Sequence, residues 1–471
     1  MRVESEPPFS FRGAHVHMIG IGGCGMSGAA VILSALGARV SGSDGFPFSG
    51  VGALVARGIN VHLNHDAVHL PPQAALVVIS AAIPPSNPEL QAARQRGTRV
   101  MKYAELLGLL MRERQGVAIA GTHGKSTTTA MVAHVFRTAG LNPTHVVGAA
   151  AEQIGGSAAL GDGPHMIVEA CEFDRSFLQF DPVYGAILNV ERDHLDCYRE
   201  FDALVDAFAA FAQRFHPDGL LVCSGQDACA RRASEAARCR VERFTIEGDG
   251  HWNATAVMSQ AGRYRFTVQY SGVRRFDVEL IIPGLHNVGN ALAAAAVADG
   301  AGVPAEAITR GLGTFRGVGR RLTLRGSGRG VTIVDDYAHH PTEIRCTIQA
   351  AQGAYAHRRT WVVFQPHQYS RTRYLLDEFA ASFGGVDEVV VPDVYDARGD
   401  ETTERSVGSA ELVRRMTEQG VNGRYVASLD DVTEHVASHA AEGDLVLTLG
   451  AGDVWKVANG LVERFCPAVQ A

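Results

Sequence analysis

An α/β protein built from several domains is predicted by three features of the sequence. Strand-length apolar runs alternate with helical periodicity along most of the chain, as parallel sheets with crossover helices require. Two glycine-rich loops lie far apart, each set between such a run and a helix. The chain has 471 residues, more than the roughly 250–300 that one hydrophobic core supports.

In order along the chain, residues 15–19 form an apolar run that ends in Gly20-Ile-Gly-Gly-Cys-Gly25. Met26, Ala29, Ala30, Leu33 and Leu36 then recur at helical spacing, and Gly37 stops the helix. A second strand, 39–43, ends at Asp44, and a third occupies 75–80 before a proline-marked turn. The next unit opens with a strand at 116–120, the loop Gly121-Thr-His-Gly-Lys-Ser126, and a helix with Met131, Val132, Val135 and Phe136 on one face. Strands are predicted at 165–169, 185–190 and 219–223, with a more β-rich stretch at 264–282. The last unit has strands at 331–334, 360–364, 388–391 and 444–449, preceded by a glycine-rich segment, 326–330, that reads as a hinge linker. These patterns predict three domains: a Rossmann-like unit at 1–113, a central phosphate-loop ATPase-like unit with a mixed sheet at 114–322, and a second Rossmann-like unit at 323–471.

Composition narrows the function classes. A formal charge of -7 and a pI near 6.3 supply no broad cationic field, so nucleic acid is not an expected partner. No apolar run approaches the roughly 20 residues that cross a bilayer, and 1–11 carries Glu4, Glu6 and two prolines rather than a secretory signal, so the cytoplasm is expected. The eight cysteines form no CxxC pair and no zinc spacing, and read as reduced core thiols.

The chemistry lies in the loops. Gly20-x-Gly22-x-x-Gly25 followed by Asp44 fits a nucleotide-diphosphate site, where the glycines admit a pyrophosphate to a helix N-terminus. By itself it does not separate NAD from a UDP-sugar. Gly121, Thr122, His123, Gly124, Lys125, Ser126 and Thr127 combine an N–H cradle, a lysine for the outer phosphates and a hydroxyl suited to Mg²⁺. The loop departs from the eight-residue phosphate-loop pattern at Ile119. Two nucleotide-type loops exceed the needs of a dehydrogenase or of a kinase, and suggest a ligase driven by ATP.

These loops, with Glu169, Asn189-Val-Glu-Arg-Asp-His-Leu-Asp196, His286-Asn-Val-Gly-Asn290, Arg320-Arg321, Asp335-Asp-Tyr-Ala-His-His-Pro-Thr-Glu343, Phe364-Gln-Pro-His367 and Gly450-Ala-Gly-Asp453, resemble the Mur ligase family over nearly the whole chain. The alanine-adding branch is the most similar. The resemblance implies a ligase that primes UDP-N-acetylmuramate as an acyl phosphate and joins it to L-alanine through a tetrahedral intermediate, with two Mg²⁺ sites. It implies that the first domain holds the UDP-sugar through Gly22, Gly23, Gly25 and Asp44, and that Lys125 and Arg321 hold the phosphates. Ser126, Glu169 and His194 would ligate metal, Asn290 would meet adenine, and Asp336 the ribose. Tyr337, His339 and Arg371 would lie at the amino acid and the activated group, with His339 and His340 as candidate bases. The chain departs from the family at Cys171, where an aspartate is usual, and at Gln368, where an arginine is common. A ligase adding a tripeptide to the same sugar nucleotide is an alternative, and an NAD-binding oxidoreductase is one from another class. A monomer or weak homodimer is expected.

Overall fold

The computed structural model describes residues 9–48, 50–193, 197–198, 200–396 and 407–466. Three sheets are found among them, in chain order.

The first is parallel throughout. Its strands are β1 (His15–Ile19), β2 (Arg39–Ser43), β3 (Asn60–His62), β4 (Leu76–Ile79) and β5 (Arg99–Lys102), in the order β3-β2-β1-β4-β5. The order reverses beside β1, so the glycine loop after β1 opens where ligands of such sheets bind. Val16, Met18, Leu76 and Val78 face one helical layer, and Ile19 and Val77 the other. Burial on both faces explains why these strands read as continuous apolar runs.

The central sheet comprises β6 (Gln115–Ala120), β7 (Thr144–Ala151), β8 (Gly156–Ala159), β9 (His165–Glu169), β10 (Tyr184–Ile187), β11 (Leu220–Ser224), β12 (Arg240–Ile246), β13 (Trp252–Gln260), β14 (Arg263–Tyr270) and β15 (Val273–Leu280). Its order is β15-β14-β13-β12-β11-β10-β6-β9-β7-β8, parallel from β13 to β7 and antiparallel at both ends. The mixed sheet agrees with the sequence reading, and the β-rich stretch 264–282 is resolved into β14 and β15, turning at Ser271 and Gly272. The helix Lys125–Thr138 packs against Leu285–Gly300, whose residues 291–298 are all buried alanine, leucine or valine. Small side chains there allow close approach to the sheet.

The third sheet holds β16 (Thr323–Gly328), β17 (Val331–Asp336), β18 (Arg359–Phe364), β19 (Glu388–Val391), β20 (Gly423–Tyr425) and β21 (Asp444–Leu449), in the order β16-β17-β21-β18-β19-β20. Only β16 runs antiparallel.

Two sequence expectations are corrected. The segment 326–330 is not a linker: it belongs to the β16–β17 hairpin, with a bulge between Leu324 and Gly326 and a turn at Arg329 and Gly330, whose φ values are 51° and 77°. Paired positive φ angles are what a tight hairpin turn demands, so glycine here serves the turn. The crossing between sheets comes earlier, at 315–322, where Gly317, Arg320 and Leu322 have φ values of 89°, 57° and 46°. Nor are the cysteines uniformly core: Cys223 is buried, but Cys24 and Cys197 are exposed, and all eight are free thiols.

The first and central domains meet where the helix Cys24–Ala35 crosses β8. A Cβ added at Gly28 would lie 2.8 Å from that of Ala158. Gly28→Val is therefore expected to destabilise the protein by about 1–3 kcal/mol, read as a lower urea midpoint. An unchanged midpoint would show that the two domains do not rely on this contact.

Candidate active site

The site is built around the loop between β6 and the helix Lys125–Thr138. β6 is buried from Gly116 to Ala120, so it holds the loop rigidly at the C-terminal end of the sheet. Gly124 takes φ 81° at the helix start, and a Cβ there would sit 2.6 Å from Asn290 Oδ1. Only glycine meets both demands. Asn189 clamps the loop: its Oδ1 accepts from the His123 N–H at 2.7 Å, its Nδ2 donates to the His123 carbonyl at 3.1 Å, and its own carbonyl accepts from the Thr122 N–H at 3.0 Å. The loop thus faces its helix N-terminus and free N–H groups into a cavity, as an anion site requires.

That cavity, about 1120 Å³, lies between the central and third domains. His123, Gly124, Ser126, Thr127, Asn290, Arg321 and Asp336 all border it, so residues up to 213 positions apart (336 − 123) line one cavity. Phe244 and Ile246 give it an apolar wall near Asn290, suited to a base. Beside it, Ser126 Oγ donates to Glu169 Oε1 at 3.0 Å, while Glu169 Oε2 accepts from the Gly148 N–H at 2.6 Å. A hydroxyl and a carboxylate side by side are the hard oxygen donors that Mg²⁺ prefers. His194, expected as a further ligand, lies outside the described residues.

Cations crowd this region, and Lys125, Arg320, Arg321 and Arg371 are each paired with an anion. Lys125 Nζ bends back to the Gly121 carbonyl at 2.5 Å and to Glu172, 2.9–3.0 Å away. Burial alone would lower its pKa, but Glu172 with the neighbouring acids raises it, so the ammonium stays charged. Arg321 reaches Glu343 at 3.5 Å, and Arg320 pairs with Asp335 at 3.1 Å. Tyr337 lies under both guanidinium groups, 5.0 and 5.4 Å from its ring centre. Arg371 pairs with Asp193 at 2.8 Å across the domain seam. The two oxygens of Asp336 accept from the Leu322 and Ala338 N–H groups at 2.7 Å each, and burial pushes its pKa up to about 6 against the pull of Arg321.

Histidines complete the seam. His123 lies 3.5 Å from Glu191 and 3.3 Å from Glu343. Burial would lower its pKa, yet the two carboxylates hold it up at about 9, and Glu191 falls to about 2. His339 behaves oppositely: burial takes it down to about 4 despite Glu343. It is neutral at pH 7 but a far weaker base than an amine of pKa about 8–10, which favours an orienting over a deprotonating role.

The first domain approaches from the other side. Gly22 N–H donates to Asp44 Oδ2 at 2.8 Å, and a Cβ at Gly25 would fall 2.5 Å from the Tyr103 hydroxyl. Gly22, Gly23, Gly25 and Asp44 do not border the large cavity. Cys24 in the same loop contacts the Val147 carbonyl at 3.9 Å, next to the Gly148 that holds Glu169, so the two glycine loops converge on Glu169.

Sequence reasoning assigned no role to Asn189, Glu172, Glu191, Asp193 or Glu343. Asn189, Glu191 and Asp193 stand in the quoted Asn189–Asp196 block, and that clustering was the available signal.

Comparisons with known proteins agree across the chain. Residues 15–115 match the Mur ligase family catalytic domain, 119–298 the Mur ligase middle domain, and 320–452 the Mur ligase glutamate ligase domain. UDP-N-acetylmuramate--L-alanine ligase of Clostridium novyi is 41% identical over 449 residues, 95% of this chain and 97% of that one. The enzyme of the same name from Acidithiobacillus ferrooxidans is 42% identical over 448 residues, covering 94% and 96%. The crystal structure of UDP-N-acetylmuramate-alanine ligase from Thermotoga maritima superposes with a TM-score of 0.83 at 29% identity, covering 96% of this chain and 99% of that one. A murein peptide ligase from Psychrobacter arcticus shares the fold, with a TM-score of 0.73 at 24% identity, covering 98% and 100%.

The pairing of His123 carries a pH dependence. Its folded pKa of about 9 exceeds the ordinary value near 6.5, so the stability it contributes is complete below about pH 6.5 and lost as pH rises through about 9. His123→Gln should cost the most stability near pH 6 and little near pH 10, measured by urea unfolding. An equal loss at both values would mean that the imidazolium is not what Glu191 and Glu343 hold.

Proposed function

Because the chain belongs to the Mur ligase family, we propose that it joins L-alanine to UDP-N-acetylmuramate with conversion of ATP to ADP and phosphate. The observation that carries this reading is the convergence of the phosphate loop, Asn290, Arg321 and Asp336 on one cavity, with the Ser126–Glu169 pair between it and the glycine loop of the first domain. The 41% identity to a relative bearing that activity in its name supports the choice of amino acid.

In this reading Gly22, Gly23, Gly25 and Asp44 hold the diphosphate of the sugar nucleotide, which aims its carboxylate past Glu169. The loop N–H groups, Lys125 and Arg321 hold ATP, whose base meets Asn290 and whose ribose meets Asp336. A carboxylate oxygen attacks the γ-phosphorus and ADP leaves. The alanine nitrogen then attacks the acyl carbon, and the tetrahedral intermediate collapses with loss of phosphate. Two anions meet in the first step, so positive charge must be fixed in place beforehand. Lys125 supplies it when it exchanges Glu172 for phosphate, and Arg321 when it leaves Glu343. Mg²⁺ held by Ser126 and Glu169, with His194 at a second ion, would add Lewis-acid charge neutralisation. Tyr337, His339 and Arg371 sit on the third domain, where closure brings alanine and shields the acyl phosphate from water.

Domain limits near 113 and 322, a monomeric or weakly dimeric state, and a cytoplasmic place in peptidoglycan precursor synthesis are parts of the same proposal. No helix among the described residues is long and apolar enough to cross a membrane.

The test incubates the protein with ATP, Mg²⁺, UDP-N-acetylmuramate and single amino acids or the tripeptide, and records product mass. UDP-N-acetylmuramoyl-alanine is expected; a tripeptide product alone, or unchanged sugar nucleotide in every mixture, overturns the reading. Lys125→Ala should lower kcat by about 10²–10³-fold, the scale for loss of one positioned charge donor at a developing anion. His339→Ala with full rates of amide formation would remove His339 from the reaction.

A further inference from the structure

The seam between the central and third domains holds three donor side chains whose rings and carboxylate the ligation scheme leaves unused. His123 sits in the phosphate loop, Glu191 follows β10, and His340 heads the helix Pro341–Ala354. One ligand atom from each lies within 4.8 Å of the others, the one such histidine and acid cluster among the described residues.

Three observations mark the cluster as more than a chance meeting. The first is spacing. His123 Nε2 is 3.5 Å and His340 Nδ1 is 3.8 Å from the same oxygen, Glu191 Oε2. Such gaps are too wide for good hydrogen bonds, and near the roughly 3.3–3.4 Å that separates donors around a tetrahedral ion with bonds of about 2.0–2.1 Å. The second is the state of His123. Both of its ring nitrogens are sealed from solvent and reach only carboxylate oxygens, at 3.5 and 3.3 Å, with no well-formed hydrogen bond, which buried polar atoms rarely tolerate.

The third is orientation. His340 is buried, and its Nε2 lies 3.0 Å from the Arg192 carbonyl, a partner that can only accept. The proton therefore sits on Nε2, and the lone pair of Nδ1, 3.8 Å from Glu191 Oε2, accepts from the Thr342 N–H at 3.3 Å, a long bond that a bound ion would replace. A second ring nitrogen donating to a carbonyl is the usual support of a metal-bound histidine. Glu191 Oε2 is itself fixed by the Thr342 hydroxyl at 2.6 Å.

We infer that His123, Glu191 and His340 form a binding site for a divalent transition-metal ion of the Zn²⁺ type. Two imidazoles and one carboxylate suit Zn²⁺ and Co²⁺, whereas Mg²⁺ takes oxygen donors and belongs with Ser126 and Glu169. A fourth position opens on the cavity, which His123 and Glu191 border. Glu343, 3.3 Å from His123 Nδ1, adds negative charge beside it. Two ligands come from the central domain and one from the third, so an occupied site opposes opening of the seam. The ion takes the place of the proton on His123, so binding weakens as pH falls.

The test uses the full chain, stripped with chelator and free of nucleotide, titrated with CoCl₂ while visible absorption is recorded. One tetrahedral Co²⁺ spectrum per chain is expected, displaced by ZnCl₂, which should also raise Tm. His340→Asn keeps a side-chain acceptor for the Thr342 N–H while removing the imidazole, and Glu191→Gln keeps an acceptor for the Thr342 hydroxyl. Both should weaken Co²⁺ binding at least tenfold and abolish the rise in Tm, with circular dichroism confirming that each variant folds. Glu169→Gln should leave the spectrum intact. Absence of a tetrahedral spectrum in the parent protein, its persistence in both His340→Asn and Glu191→Gln, or its loss in Glu169→Gln would overturn the assignment. Each readout is independent of ligase turnover.

Discussion

Cations gathered to meet a triphosphate must be stable before it arrives, and in this protein four of them are held against carboxylates. An unpaired charge in such surroundings would cost several kcal/mol, so the anions are part of the site. Lys125 rests on Glu172, Arg321 on Glu343, Arg371 on Asp193 and Arg320 on Asp335. Substrate phosphates and carboxylates can replace these partners without creating new buried positive charge.

The same pairing decides how the domains sit. Arg371 with Asp193, Thr342 with Glu191, and His123 with Glu343 all cross from the central to the third domain. Electrostatic compensation and domain closure therefore share contacts, although Lys125 and Glu172 both lie in the central domain. A ligand that took over Arg371 would also loosen a fastening, which would link occupancy of the site to the freedom of the third domain.

Much of this was legible in the sequence. The core strands β1, β9, β19 and β21 are short, largely apolar runs, and burial on both faces makes them so. The loop from Gly121 to Ser126 was equally plain, because strand, glycines and helix are contiguous. Edge strands such as β3 and β20 carry three residues and little apolar signal, so they were missed. Glu172 and Glu343 act on partners 47 and 22 positions away (172 − 125 and 343 − 321), and although Glu343 closes a quoted block, no local pattern tells which cation either carboxylate finds by folding. Glycine density misplaced the linker, since glycine serves hairpin turns as readily as crossings. The departure at 171 also gains an explanation, whereas nothing in the structure explains the one at 368. Cys171, its thiol pushed up to about 12 by burial, stays neutral while Glu172 carries the charge to Lys125. Gln368 takes φ 67° at the head of the helix Tyr369–Tyr374, and its N–H donates to the Tyr395 carbonyl.

The crossing at 315–322 is stitched to both sides: the Gly319 N–H donates to the Ala150 carbonyl, the Leu322 N–H to Asp336, and the Arg320 carbonyl accepts from the Tyr337 N–H. A connection so anchored works as a crease rather than a tether. A third domain swinging about so short a line would not drift, so its recognition groups would remain at high local concentration over the cavity even if the seam parted. Each round of opening then costs little search time, and the geometry of return is written into eight residues of backbone (315–322).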